Sequence, residues 1–331
     1  MLPPSGSGPP LESMTEEEAP VTAKPPRIVF FGMRCQFSAI VLETLVAHGC
    51  VIAGVLLAGD SGEGSRGDLP LANRYARPGT VEAIAKDAGI PLRIAAVNVV
   101  DALDHWRPDA IAVACFPRRL PAKALSLPRL GALNVHPALL PRHRGPAPLF
   151  WTFHAGDRLA GVTVHLMTDR LDAGPIVAQT AVEVPFGTDG AEFEASLAVI
   201  GGNLLAEAIA RRHAGDLEAV PQIEAEANSQ GFPTEADVRI GTDRSGRWVF
   251  SFVRGITSLG FAATIRIETA GEQILVDHVH SYTPGARLDA PIMRNIETVS
   301  IQFLDGICEF SVKELRKTIM PVIDTGNPRV R

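Results

Sequence analysis

"RIVFFGMRCQFSAIVLETLVAHGCVIAGVLLAG", residues 27 to 59, holds a strand, a turn, a helix and a second strand in 33 positions. "RIVFFGM" (27–33) is an apolar run ending near Gly32, and "FSAIVLETLVAHG" (37–49) carries helical spacing at Ile40, Leu42, Leu45 and Val46. "VIAGVLLAG" (51–59) is again apolar without alternation. Strands of that kind are covered on both faces, which implies a mostly parallel sheet with helices on either side. Downstream, "TVEAIAKDAG" (80–89) reads as a helix, and "PDAIAVACF" (108–116) and "GALNVH" (131–136) as further strands. "GVTVHLMT" (161–168) alternates, "GPIVAQTAVEV" (174–184) reads as its hairpin partner, and a long helix over 191–215 closes the unit at Gly215.

The expected fold is therefore α/β, a Rossmann-like sheet flanked by helices over residues 27–216. The polar stretch 217–235 reads as a linker. Beyond it come a helical segment around "WVFSFVRGI" (248–256) and short alternating runs at 261–268, 272–282 and 298–312. Their spacing predicts a small, OB-like β-barrel within 236–331. The first 26 residues, rich in Pro, Ser, Gly and Glu, have neither the basic start nor the apolar stretch of a signal peptide and read as a disordered tail.

Composition narrows the function. With 46% hydrophobic and 21% charged residues the chain reads as soluble, and no unbroken apolar run has the ~18–20 residues of a membrane span. A formal charge of −6 excludes a general basic field, so a nucleic-acid partner would need a local patch. Cys35, Cys50, Cys115 and Cys308 form no CxxC pair and read as reduced thiols of a cytoplasmic protein. "GEGSRG" (62–67) matches the dinucleotide fingerprint GxGxxG by letter and follows a strand. It does not open a helix, because "DLPLANRYARPG" intervenes, so it reads as part of a long loop.

The chemistry concentrates in "NVHPALLPRHRG" (134–145). In a strand, Asn134 and His136 share one face while Val135 takes the other, and Pro137 then ends the regular pairing. An amide can donate to a developing oxyanion, and an imidazole can stabilise it or move a proton at neutral pH. There is no GxSxG elbow, no HExxH and no other metal-ligand spacing. Asp172, in "TDRLDAG", is the carboxylate placed to set the state of the imidazole. His165 alternates onto the face of Thr163, where it either supports the site from behind or is structural; the structural reading is favoured, because alternation alone places it there. Arg142 and Arg144 either bind a phosphate-bearing acceptor or tether their loop to carboxylates and carbonyls.

"NVHPALLPRHRG" followed by "GVTVHLMTDRLDAGPIVAQ" resembles the formyltransferase family that uses 10-formyltetrahydrofolate, over residues 27 to 215. Fainter similarity in "TPGARLD" and "VSIQFLDGICEF" resembles the C-terminal barrel of its methionyl-tRNA-acting members. The resemblance implies that Asn134, His136 and Asp172 are catalytic and leaves open how His136 and Asp172 divide the proton transfers. It implies cofactor contacts at Phe116, Arg118, Leu120, Leu139 and Leu140, and acceptor contacts at Arg142, Arg144 and Gly145, with no metal. Two departures bear on the acceptor: His143 stands where an aromatic residue is common, and Ala138 where Ser is common.

The expected partners are formyl-folate and an amine, with initiator methionyl-tRNA first and no membrane. In tRNA-acting members the loop corresponding to 58–79 is strongly basic. Here Arg66, Arg74 and Arg77 are offset by Asp60, Glu63 and Asp68. The alternatives are a nucleotide-linked amino sugar or another small amine as acceptor, water as acceptor in a hydrolase, or a catalytically silent folate or RNA binder.

Overall fold

The computed structural model describes residues 24–58, 80–95, 99–261 and 265–316. The expected tail (through residue 23), the fingerprint-like 62–67 and nearly all of the loop at 58–79 lie outside the described residues.

Seven strands make the first sheet: β1 (Arg27–Gly32), β2 (Val51–Ala58), β3 (Leu92–Ala95), β4 (Ala110–Ala114), β5 (Ala132–His136), β6 (Leu159–Leu166) and β7 (Ile176–Glu183). Their spatial order is β3-β2-β1-β4-β5-β6-β7. The first five are parallel, β6 pairs antiparallel with β5, and β7 pairs antiparallel with β6. From β1 the chain winds outward to β2 and β3, then returns to place β4 on the other side of β1. That reversal opens a crevice at the carboxyl ends of β1 and β4, where ligands of such sheets bind.

Helices α1 (Gln36–Ala47), α2 (Thr80–Asp87), α3 (Val99–Trp106), α4 (Ala122–Ser126), α5 (Pro148–Ala155) and α6 (Gly190–Ala214) belong to this sheet. α6 starts at Asp189, whose carboxylate accepts from the Ala191 and Glu192 amides, and stops at Gly215 in the left-handed conformation (φ 84°). Among the described residues it is the helix long and apolar enough to cross a membrane, yet half of it is buried inside the protein. Gly201 and Gly202 explain the packing. A Cβ at Gly201 would lie 2.5 Å from Val135 Cγ1, and one at Gly202 would lie 2.6 Å from Thr44 Cβ. Two bare positions thus seat α6 against both β5 and α1.

A second sheet follows, built from β8 (Arg239–Gly241), β9 (Arg266–Glu268), β10 (Gln273–Pro284), β11 (Ile292–Arg294), β12 (Thr298–Phe303) and β13 (Gly306–Arg316), in the order β11-β12-β13-β10-β9-β8. It is antiparallel apart from the β8–β9 pair. Register shifts along β10 bend it, as bulges do. Helix α7 (Gly246–Ile256), capped by Ser245, lies on this sheet through Val249, Phe252, Val253 and Ile256. The two sheets share an apolar core, because Phe150 of α5 packs against Phe252 and Phe261 at ring-centroid separations of 5.6 and 4.9 Å. All four cysteines are free thiols.

Candidate active site

Strand alternation on β5 does what the sequence implies. Leu133 and Val135 enter the core beneath α6, and Asn134 and His136 project from the opposite face. β6 lies antiparallel with Asn134 opposite His165 and His136 opposite Thr163. Four polar side chains therefore share one patch of sheet, and Asp172, from the turn between β6 and β7, closes it.

Hydrogen-bond chemistry fixes the protons. His136 Nε2 lies 2.9 Å from the His143 carbonyl oxygen, which can only accept, so Nε2 carries the hydrogen. The neutral ring then turns the lone pair of Nδ1 towards Asp172 Oδ2, 3.8 Å away. His165 is the mirror case. Its Nδ1–H donates to the Leu166 carbonyl (3.0 Å), leaving Nε2 to accept from Asn134 Nδ2 at 3.1 Å. His165 thus orients the Asn134 amide with its NH2 group inward, and among the described residues its second N–H is left for a ligand. Asp172 completes the ring of contacts, with Oδ1 3.6 Å from His165 Nε2 and Oδ2 accepting the Gly145 amide at 2.9 Å.

Burial sets the charges. His136 and Asp172 are 4% and 8% exposed. Burial holds the His136 imidazole below its ordinary 6.5, against the opposing pull of Asp172 and the His143 carbonyl. For Asp172 burial acts in the other direction, but His136, His165 and the Gly145 amide outweigh it and bring the carboxyl down to about 2. At neutral pH the pair is a carboxylate facing a neutral imidazole, arranged so that a proton arriving on Nδ1 is stabilised at once. Asp172 also takes the left-handed backbone conformation (φ 49°), uncommon for a residue with a side chain.

The remaining predicted residues divide by surroundings. Phe116 follows β4 at the sheet's reversal point, half-buried and 5.2 Å from the Phe31 ring. Leu120 is buried with Phe31 and Val113, and Arg118 is exposed on the same loop. Leu140 is buried, its amide donating to Thr163 Oγ1 and its carbonyl accepting from Gln179 Nε2, while half-buried Leu139 packs over Gly161. Arg142 pairs with Asp157, and His143 Nε2 reaches the same carboxylate at 2.7 Å. Arg144 is 4% exposed and spends its guanidinium on Gln222 and Glu224. Both arginines thus hold carboxylates of their own chain, Arg142 with half of its side chain still exposed. Gly145 has φ 122°, and a Cβ there would overlap the Gln230 carbonyl oxygen.

The stretch read as a linker is bonded to this loop. The Asn228 carbonyl accepts from the Arg144 amide, the Gln230 amide donates to the Arg144 carbonyl, and Asn228 Oδ1 accepts from the His143 amide. Exposed Glu224 is drawn down to about 2 by Arg144 and then Arg170. For His165 the sequence left two readings, and the structure puts it beside Asn134. Its alternation with Thr163 was visible, but the register that sets it beside Asn134 was not.

Comparison with known proteins bears on the family and the fold. Residues 71–209 match the family model described as formyl transferase. Methionyl-tRNA formyltransferase of Staphylococcus aureus (strain JH1) is 32% identical over 248 residues, 73% of this chain and 76% of the relative. Among solved structures, the N-formyltransferase from Helicobacter canadensis, in complex with folinic acid and dTDP-3-aminofucose, has a TM-score of 0.61 at 14% identity, covering 88% of this chain and 100% of its own. The sugar 3N-formyltransferase WlaRD gives 0.60 at 12% identity over 87% and 98%. HypX from Aquifex aeolicus, solved with tetrahydrofolic acid, gives 0.58 at 18% identity over 87% of this chain and 44% of its own. At such identities these three share the fold. Taken with the sequence relative, they lead to one conclusion: the chain is an enzyme of the formyl transferase family.

Proposed function

We propose that the protein transfers the formyl group of 10-formyltetrahydrofolate to an amine, and that the acceptor is the amino group of methionyl-tRNA. The observation carrying the chemistry is the convergence of Asn134, His136 and Asp172 in a buried patch with fixed tautomers. The amine attacks the formyl carbon, and the carbonyl oxygen becomes an oxyanion that accepts the second N–H of Asn134. Nδ1 of His136 takes the proton released by the amine, and the imidazolium faces the Asp172 carboxylate. The bond from the formyl carbon to N10 of the folate breaks, N10 takes up the proton that His136 received, which returns the imidazole to its neutral form, and a formamide and tetrahydrofolate leave. Phe116 and Leu120 stand at the sheet's reversal point, where the pterin would lie.

Support for the tRNA acceptor comes from the 32% identity over 248 residues, 73% of the chain, to a methionyl-tRNA formyltransferase. A second reading, a nucleotide-linked amino sugar, is favoured by the mixed charge of residues 58–79 and by a charge of −6 overall. Competition between methionyl-tRNA and amino-sugar nucleotides at two salt concentrations separates them. A tRNA substrate wins at low salt and loses affinity steeply as salt rises. Formylation of the sugar nucleotide alone, insensitive to salt, would replace the first reading with the second. We place the enzyme in the cytoplasm, with its thiols reduced.

A further inference from the structure

The loop 141–145 supplies the carbonyl that fixes His136, and the turn at 170–174 supplies Asp172. These segments leave opposite ends of β6's neighbourhood and meet directly through one hydrogen bond, from the Gly145 amide to Asp172 Oδ2. Gln222, outside both, joins them with one side-chain amide. Its Oε1 accepts from Arg144 Nε at 3.1 Å and Nη2 at 2.7 Å. Its Nε2 donates to the Asp172 carbonyl at 2.8 Å and the Gly174 carbonyl at 2.7 Å. A guanidinium only donates and a carbonyl only accepts, so the orientation of the amide is dictated by its partners, and both lone pairs and both hydrogens are in use.

We propose that Gln222 is a positioning residue for formyl transfer, whose amide braces the His136-orienting loop against the Asp172 turn. This rests on the formyl-transfer reading above. The anchor on the loop side is well built, since Arg144 is almost fully buried and its backbone pairs with Asn228 and Gln230. On the turn side, Asp172 is held at both ends, its carbonyl by Gln222 and its carboxylate by Gly145. Its left-handed backbone is kept in place from outside the turn. Gln222 touches neither His136 nor the Asp172 carboxylate, so it acts through their loops and the effect falls on turnover, not on folate affinity.

The test uses the full chain with 15N-labelled histidine and two variants. Gln222→Ala removes the whole brace. Gln222→Glu keeps an acceptor for Arg144 but turns a carboxylate, with no N–H to give, towards two carbonyl oxygens. Both should lower kcat about tenfold or more, with KM for 10-formyltetrahydrofolate within about twofold of the parent. In the imidazole nitrogen spectrum, the parent should show His136 as a single Nε2–H tautomer. Gln222→Ala should mix the tautomers; Gln222→Glu, with Arg144 still held, should not. An unchanged kcat in Gln222→Glu overturns the proposal, as does a tautomer that stays single in a folded Gln222→Ala. If Gln222→Ala does not fold, Gln222→Glu decides alone through kcat and KM. If the parent transfers no formyl group at all, the functional reading fails, while the tautomer spectra still decide the brace.

Discussion

Asp172→Asn keeps the size of the side chain and an oxygen for the Gly145 amide, and removes the charge facing His136. The parent carboxyl stands at about 2, against an ordinary 3.8. At ~1.4 kcal/mol per pH unit, that difference is worth about 2 to 3 kcal/mol to folding while His136 is charged, and less at neutral pH, where the imidazole is neutral. Because the folded value of Asp172 is the lower one, its contribution is present above the unfolded value near 3.8 and disappears as pH falls through about 2. Urea unfolding of parent and variant at pH 7, 5 and 3 should therefore show a gap at least as wide at pH 5 as at pH 7, since His136 gains charge beside the carboxylate as pH falls, and narrower at pH 3 than at pH 5. Formyl transfer by the variant should fall by ~10²-fold or more, since the imidazolium formed during the reaction loses its counter-charge. A stability gap as wide at pH 3 as at pH 5 would refute the electrostatic origin. So would near-parental turnover.

Asn134→Ala should lower turnover ~10²-fold, the scale of one lost preorganised oxyanion donor, and unchanged steady-state rates would remove Asn134 from the mechanism. Because burial holds His136 below 6.5, the kcat–pH profile should stay level through pH 6.5 and fall only at lower pH as Nδ1 is protonated; an acid limb centred above 6.5 contradicts the assignment. Gly145→Ala should cost ~1–3 kcal/mol in denaturant unfolding, from a backbone conformation suited to glycine, and should lower turnover through Asp172. Gly201→Ala should cost a similar ~1–3 kcal/mol by pushing α6 off Val135, with the catalytic groups on the far face of β5 untouched; a thermal melt and a rate assay check both halves.

What could be read from the sequence follows a physical divide. Local periodicity is written in neighbouring residues, so the apolar runs at 27–33 and 51–59 and the Asn134–His136 pair on one face of β5 were legible. Register between antiparallel strands is not local. It depends on the path through Pro137–Arg158, and so His165 beside Asn134 came only with the structure. The segment 217–235 misled for a related reason. Its polar composition is that of a chain between two cores, but its backbone pairs with residues 141–144, and Gln222 and Asn228 use side chains that composition counts merely as hydrophilic. For Arg142 and Arg144 the sequence offered a charge and no partner. The structure supplied partners, Asp157 for the first and Glu224 for the second.

The pairing of β5 with β6 has a consequence for how such a site can diversify. Asn134, His136 and His165 are held by a hydrogen-bonded ladder inside a seven-stranded sheet, whereas the His143 carbonyl and Asp172 arrive on loops outside that ladder. On the proposed chemistry, the side chains that would meet the oxyanion are fixed by the ladder, and those that would meet the amine are set by loops. Substitutions in the loops should therefore alter the choice of amine while leaving the positions of Asn134 and His165 unchanged.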